Sequence, residues 1–109
     1  MLKSIFGNKT AEKIFLFLFH HSNGHASAIS KDFDLSLTAV LQQLNKFENC
    51  GILVSTLIGR SRVYSFNPKS PFVPPLKELI KIVYDNIPLK EKEILFKRRR
   101  PRAKGKPIR

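Results

Sequence analysis

Leu35-Ser36-Leu37-Thr38-Ala39-Val40-Leu41-Gln42-Gln43-Leu44-Asn45-Lys46-Phe47-Glu48-Asn49-Cys50-Gly51-Ile52-Leu53 is the stretch whose reading decides the fold. Ser36 is a good N-cap, because its hydroxyl can accept from an unpaired amide of the first turn. The helix it opens runs through Cys50 and stops at Gly51, a residue that takes a left-handed cap without a steric penalty. At about 100° per residue, Val40, Leu44 and Phe47 share one face. The opposite face carries Thr38, Gln42 and Asn45. Leu37 and Leu41 lie on one flank, and Gln43 and Lys46 on the other. No acid interrupts the outward face before Glu48. Cys50, at the helix end, reads as a small buried residue.

Downstream the pattern changes from helix to strand. Ile52-Leu53-Val54-Ser55-Thr56-Leu57-Ile58 is rich in β-branched residues. Gly59-Arg60-Ser61 supplies a turn, and Arg62-Val63-Tyr64-Ser65-Phe66 a second strand ended by Asn67-Pro68. Two such runs about a glycine turn predict a hairpin over Leu53–Phe66. Tyr64 and Phe66 fall on one side of their strand and are expected to face the core. Arg60 and Arg62 flank the tip.

Upstream, Asn8 or Thr10 can cap a helix over Lys9–His21. Its centre, Ile14-Phe15-Leu16-Phe17-Leu18-Phe19, is apolar on every side, so it must be covered on more than one side. Packing inward and against a second subunit would satisfy it. Ser22-Asn23-Gly24 breaks this helix. A short helix over Ala26–Asp32, with Ile29 and Phe33 inward, and an Asp34-Leu35-Ser36 turn complete the approach. Beyond the hairpin, the proline-rich connector Pro68–Pro75 leads to a helix started by Pro74 or Pro75. Leu76, Leu79, Ile80, Val83 and Ile87 recur there at helical spacing, and Pro88 ends it. Leu89–Phe96 can form a further helical turn.

The predicted fold class is therefore mainly α within α+β. It is a winged helix-turn-helix of three helices, a two-stranded wing hairpin and a C-terminal helix. Residues 1–88 form this domain, with the C-terminal helix serving dimerisation. Residues 89–109 form the short helical turn and a basic tail expected to be disordered until bound.

Charge narrows the function. The 109 residues hold 20 Lys and Arg against 8 Asp and Glu, a net +12. Eight of those charges (Lys97, Arg98, Arg99, Arg100, Arg102, Lys104, Lys106 and Arg109) fall in the last thirteen residues, leaving +4 for residues 1–96. Such a balance favours a polyanionic partner. An amide-rich, acid-free helix face suits the major groove of DNA. Gln and Asn can donate to and accept from an adenine edge, and Leu or Thr methyls can meet thymine methyls. A wing arginine can enter a narrow minor groove or hold a phosphate. A solvated polar face and soluble hairpin-tip arginines are the plainer alternatives for the same residues. Lys104-Gly105-Lys106-Pro107 resembles the core of a minor-groove AT-hook with Lys in place of Arg.

Over roughly residues 5–67 the chain resembles the arsenical-repressor-like (ArsR-like) branch of small prokaryotic winged-helix regulators. Leu35-Ser36-Leu37-Thr38-Ala39-Val40, Leu44 to Leu53, and the Gly59-Arg60-Ser61-Arg62-Val63-Tyr64-Ser65-Phe66-Asn67 wing carry the likeness. The resemblance implies a sequence-specific double-stranded DNA-binding transcriptional regulator, of repressor or autoregulator type. It implies base-facing positions at Thr38, Leu41 and Gln42, and wing positions at Arg60 and Arg62. It also implies a homodimer through the first and last helices, with two recognition helices about one DNA turn apart. Metal-sensing relatives carry paired cysteines where this chain has His25-Ala26-Ser27-Ala28-Ile29.

The expected DNA-binding residues are Ser36, Leu37, Thr38, Leu41, Gln42, Asn45, Lys46, Arg60 and Arg62. The tail adds Lys97, Arg98, Arg99, Arg100, Arg102, Lys104 and Lys106. The expected dimer interface is Ile14, Phe15, Phe19, Leu79, Val83 and Ile87. No cofactor and no metal is expected: His20 and His21 point about 100° apart on a helix, and Asp32 and Asp34 stand at no recognised ligand spacing. No phosphate loop or nucleophile–base pair suggests an enzyme. The longest apolar run has six residues, against about 20 for a membrane span. A cytoplasmic, nucleoid-associated protein is expected. RNA, or a protein partner held by the aromatic first helix, is the alternative.

Overall fold

A computed structural model describes residues 7–89 and 91–92. Its elements run α1 (Lys9–His21), β1 (Asn23–His25), α2 (Ala26–Phe33), α3 (Leu37–Asn49), β2 (Leu53–Ile58), β3 (Ser61–Phe66) and α4 (Val73–Asp85). Four helices and a three-stranded antiparallel sheet make an α+β fold of winged-helix type.

The local signals act where the sequence places them. Asn8 caps α1, its side-chain oxygen accepting from the Ala11 amide at 2.7 Å. Ser36 caps α3 through the Ala39 amide at 3.3 Å. Between α2 and α3 the chain turns at Asp34, which adopts the left-handed region at φ 54°. Ser30 locks that turn twice: its carbonyl accepts from the Leu35 amide at 2.9 Å, and its hydroxyl donates to the Leu35 carbonyl at 2.6 Å. Asn67 closes the base of the hairpin, donating from its side chain to the Gly51 carbonyl at 2.9 Å and from its amide to the Ile52 carbonyl at 2.9 Å.

The core is built around α1. Ile14, Phe15, Leu18, Ile29, Val40, Leu44, Leu53 and Ile80 are almost wholly enclosed. Phe15 joins three elements, with its ring 4.6 Å from Phe47 of α3 and 6.1 Å from Phe66 of β3. On its other side α1 meets α4, where Phe19 and Tyr84 have ring centroids 5.1 Å apart.

Three expectations are corrected. The apolar centre of α1 needs no second subunit, because α2, α3, α4 and the sheet cover it. Ile14 and Phe15 are thus enclosed by their own chain and offer no surface for a dimer. The sheet has three strands rather than two. Asn23, Gly24 and His25 pair with Ser65, Tyr64 and Val63 in the order β1-β3-β2. That strand is three residues of low β-propensity, formed only because β3 arrives from forty residues downstream. Finally, Cys50 is exposed. It is the cap of α3, about 80° around the helix from the inner stripe, so it turns away from the core.

Candidate functional site

Two surfaces of the fold meet at a cleft. One is the outer face of α3. Ser36, Leu37, Thr38, Leu41, Gln42, Asn45 and Lys46 are all exposed, while Val40, Leu44 and Phe47 are buried behind them. The division follows from anchoring: Val40 and Leu44 are fully enclosed, and this fixes the rotation of the helix. Leu37 and Leu41 remain 47% and 38% exposed. Gln43 is less available, since its side-chain oxygen accepts from Asn8 Nδ2 at 3.4 Å. Lys46 extends its ammonium to 5.5 Å from the Phe47 ring centroid.

The other surface is the wing. Strand alternation puts Arg62, Tyr64 and Phe66 on one face, and burial rises from exposed Arg62 to buried Tyr64 and Phe66. Gly59 takes φ +63° at the tip, where a residue with a Cβ would be strained.

Between these surfaces lies an open cleft of about 370 Å³. Leu37 and Leu41 form its helical wall, Arg60, Ser61, Arg62 and Tyr64 its wing wall, and His25, Ala26 and Ser27 its end. The structure therefore brings four predicted residues, Leu37 and Leu41 of the helix and Arg60 and Arg62 of the wing, to one concavity, while Ser36, Thr38, Gln42, Asn45 and Lys46 are exposed on α3 outside it. It also adds His25 and Ser27, which the sequence did not mark. His25 caps α2: its Nδ1 accepts from the Ala28 amide at 3.3 Å and meets the Ser27 hydroxyl at 3.0 Å.

Arg62 is oriented by its own chain. Its guanidinium donates to Ser55 Oγ at 2.9 Å, and Ser55 Oγ donates to Glu48 Oε2 at 2.5 Å. This relay ties the end of α3 to the wing. It also engages the single acid of α3 internally, beside the wing cation. Strand alternation could have flagged Ser55, which sits opposite Tyr64 on the inner face. Nothing local in the sequence links it to Glu48. Burial raises the Tyr64 phenol above its ordinary pKa, the Glu48 charge adds to the rise, and Arg62 opposes it. The phenol is therefore neutral at physiological pH.

No protein-family model matches the chain, and no curated protein matches it.

The remaining predicted residues divide into two groups. Lys97, Arg98, Arg99, Arg100, Arg102, Lys104 and Lys106 lie outside the described residues, as does most of the helical turn expected over Leu89–Phe96. Of the expected dimer residues, Phe19, Leu79, Val83 and Ile87 are partly buried against the core. Val83 and Ile87 line a shallow groove of about 500 Å³ on α4 with Ile82, Asn86, Pro88 and Glu91. Ile82 and Leu89 are exposed nearby. Among the described residues no group of three His, Cys, Asp or Glu side chains could hold a metal ion. No helix among them is long and apolar enough to cross a membrane.

Proposed function

We propose that this chain is a sequence-specific double-stranded DNA-binding regulator, with α3 in the major groove and the wing on the adjoining backbone or minor groove. The observation that carries the proposal is the rotation of α3. Thr38, Gln42 and Asn45 project outward without an acid among them, and the cleft beside them opens between that helix and two arginines. Amide side chains on a helix of major-groove width supply hydrogen bonds to base edges. The exposed start of α3, capped by Ser36, presents amides suited to a backbone phosphate.

The basic tail adds sequence-independent attraction, so specificity falls to α3. Resemblance to arsenical-repressor-like regulators supports the same reading and adds a homodimer. Exposed Ile82 of α4, with the partly buried Val83 and Ile87 beside it, provides its surface. Phe19 and Leu79 extend it. Repression or autoregulation is the proposed outcome.

The test is selection of bound duplexes from a random pool, repeated with Gln42→Ala. Loss of one good bidentate contact should reduce discrimination at one base pair by about 1–3 kcal/mol while non-specific affinity stays nearly constant. An unchanged selected sequence would remove Gln42 from base reading. Preferential binding of structured RNA over duplex at equal salt would replace DNA by RNA as the target.

A further inference from the structure

The tip of the wing carries two large apolar side chains that the fold itself does not use. Leu57 is 60% exposed and Ile58 is 63% exposed. They are the last two residues of β2, paired with Arg62 and Ser61 across the hairpin and followed directly by the Gly59-Arg60 turn. Neighbouring strand residues point to opposite faces. Leu57 therefore lies on the face of Arg62 and Tyr64, toward the cleft, and Ile58 on the other. Burial along β2 falls steadily from enclosed Leu53 to these two positions. The distal hairpin thus projects beyond the core as a narrow ribbon with an apolar end.

An exposed apolar strand end is a hazard for edge-to-edge association, and proteins usually blunt it with charge. Here β2 is an edge strand and ends on Leu57-Ile58. The charges that flank it are Arg60 and Arg62, and no acid occurs between Leu53 and Phe66. With Glu48 held back at the end of α3 by the Ser55 relay, an apolar tip flanked along the hairpin by arginines suits a partner that is anionic outside and apolar within. The minor groove of DNA has that chemistry: phosphates line its walls, and stacked bases form its floor.

Building on the DNA-binding reading above, we infer that Leu57 and Ile58 are a wedge that enters the minor groove and partly unstacks a base step, while Arg60 and Arg62 hold the flanking phosphates. The minor groove is about 6 Å wide. A two-stranded ribbon, with strands about 4.8 Å apart and side chains on both faces, enters only if the groove opens. Apolar side chains inserted at a step open it by kinking the duplex toward the major groove, by roughly 20–90° in proteins that do so. Pyrimidine–purine steps yield most readily. The wing would then add specificity at a step where it makes no base hydrogen bond, separate from the amide readout by α3.

The experiment uses the full chain and a duplex of about 30 base pairs recovered by selection, labelled at its ends with a donor and an acceptor dye. Binding of the wild type should raise energy transfer between the ends. Leu57→Ser combined with Ile58→Ser should fold normally, since both side chains are largely exposed. It should bind the same duplex about tenfold more weakly, or about 1.4 kcal/mol, without raising transfer. It should also lose any preference for TA or CA/TG at the wing-contacted step.

A straight duplex under the wild type, or equal bending by the double variant, overturns the wedge. In that case the Gln42→Ala result still stands or falls separately. Sedimentation of the free proteins supplies another check. If the double variant dissolves a dimer and leaves bending unchanged, the tip is an interface between copies and the wedge is refuted. If the wild type binds no duplex, the DNA reading and the wedge fall together.

Discussion

Gly24→Ala tests how tightly β1 is pressed onto α1. A Cβ on Gly24 would stand 2.4 Å from Phe17 Cε1, closer than real carbon–carbon contacts allow, and a tight 3.1 Å from Cδ1. The backbone of Gly24 lies in an ordinary strand paired with Tyr64, so the conflict is one of space alone. Phe17 has little room to yield. It is 4% exposed, its ring centroid is 4.4 Å from that of His21, and it meets the Phe33 ring edge-on at 6.2 Å.

Two effects oppose each other. Replacing glycine where the backbone is compatible stabilises by about 0.4–1 kcal/mol, through the unfolded chain. Overpacking a well-filled core costs about 1–3 kcal/mol. With the overlap this severe the second wins, and we expect a net loss of about 1–2 kcal/mol. For a domain of this size each kcal/mol lowers Tm by about 4–8 °C. Thermal melting followed by circular dichroism reads the loss. Phe17→Leu in the same chain should recover part of it, giving a favourable coupling of about 1 kcal/mol in a double-mutant cycle. A Gly24→Ala protein that melts at or above the wild-type temperature would refute the tight approach of β1 to α1. The consequence reaches the site, since β1 holds both His25 and the inner strand of the wing.

Three further outcomes are expected. Removing residues 97–109 should weaken binding to every duplex and flatten the slope of log affinity against log salt by about 5, if the tail neutralises about six phosphates; an unchanged slope would exclude the tail from binding. Ser36→Ala should cost about 1 kcal/mol by leaving an amide of the first turn of α3 unpaired, and equal melting of the two proteins would show the cap to be idle. Burial of Tyr64 raises its pKa above that of the unfolded chain. Its neutral form therefore favours folding fully below about pH 10, and that contribution is lost as pH rises through the folded value. Urea midpoints measured from pH 8 to 11 should fall at the alkaline end, and Tyr64→Phe should remove part of the fall; identical profiles would count against it.

Local rules in the sequence determined most of the framework. Asn8 and Ser36 as caps, Gly51 as a stop, Gly59 as a turn and the Val40, Leu44, Phe47 stripe each act within a few residues, and each recurs in the structure. The same stripe announced that Thr38, Gln42 and Asn45 would face outward, because a helix anchored on one side has only one other side to show. Tertiary structure decided what depends on distant partners. Whether Ile14–Phe19 needed a second subunit turned on how many elements of its own chain reach α1. Asn23–His25 became a strand because β3 offered it hydrogen bonds, and Arg62 found its orientation through Ser55 and Glu48 across a turn of chain. Short-range hydrogen bonds and periodicity can be read along the chain, whereas enclosure and cross-element pairing exist only once the elements have met.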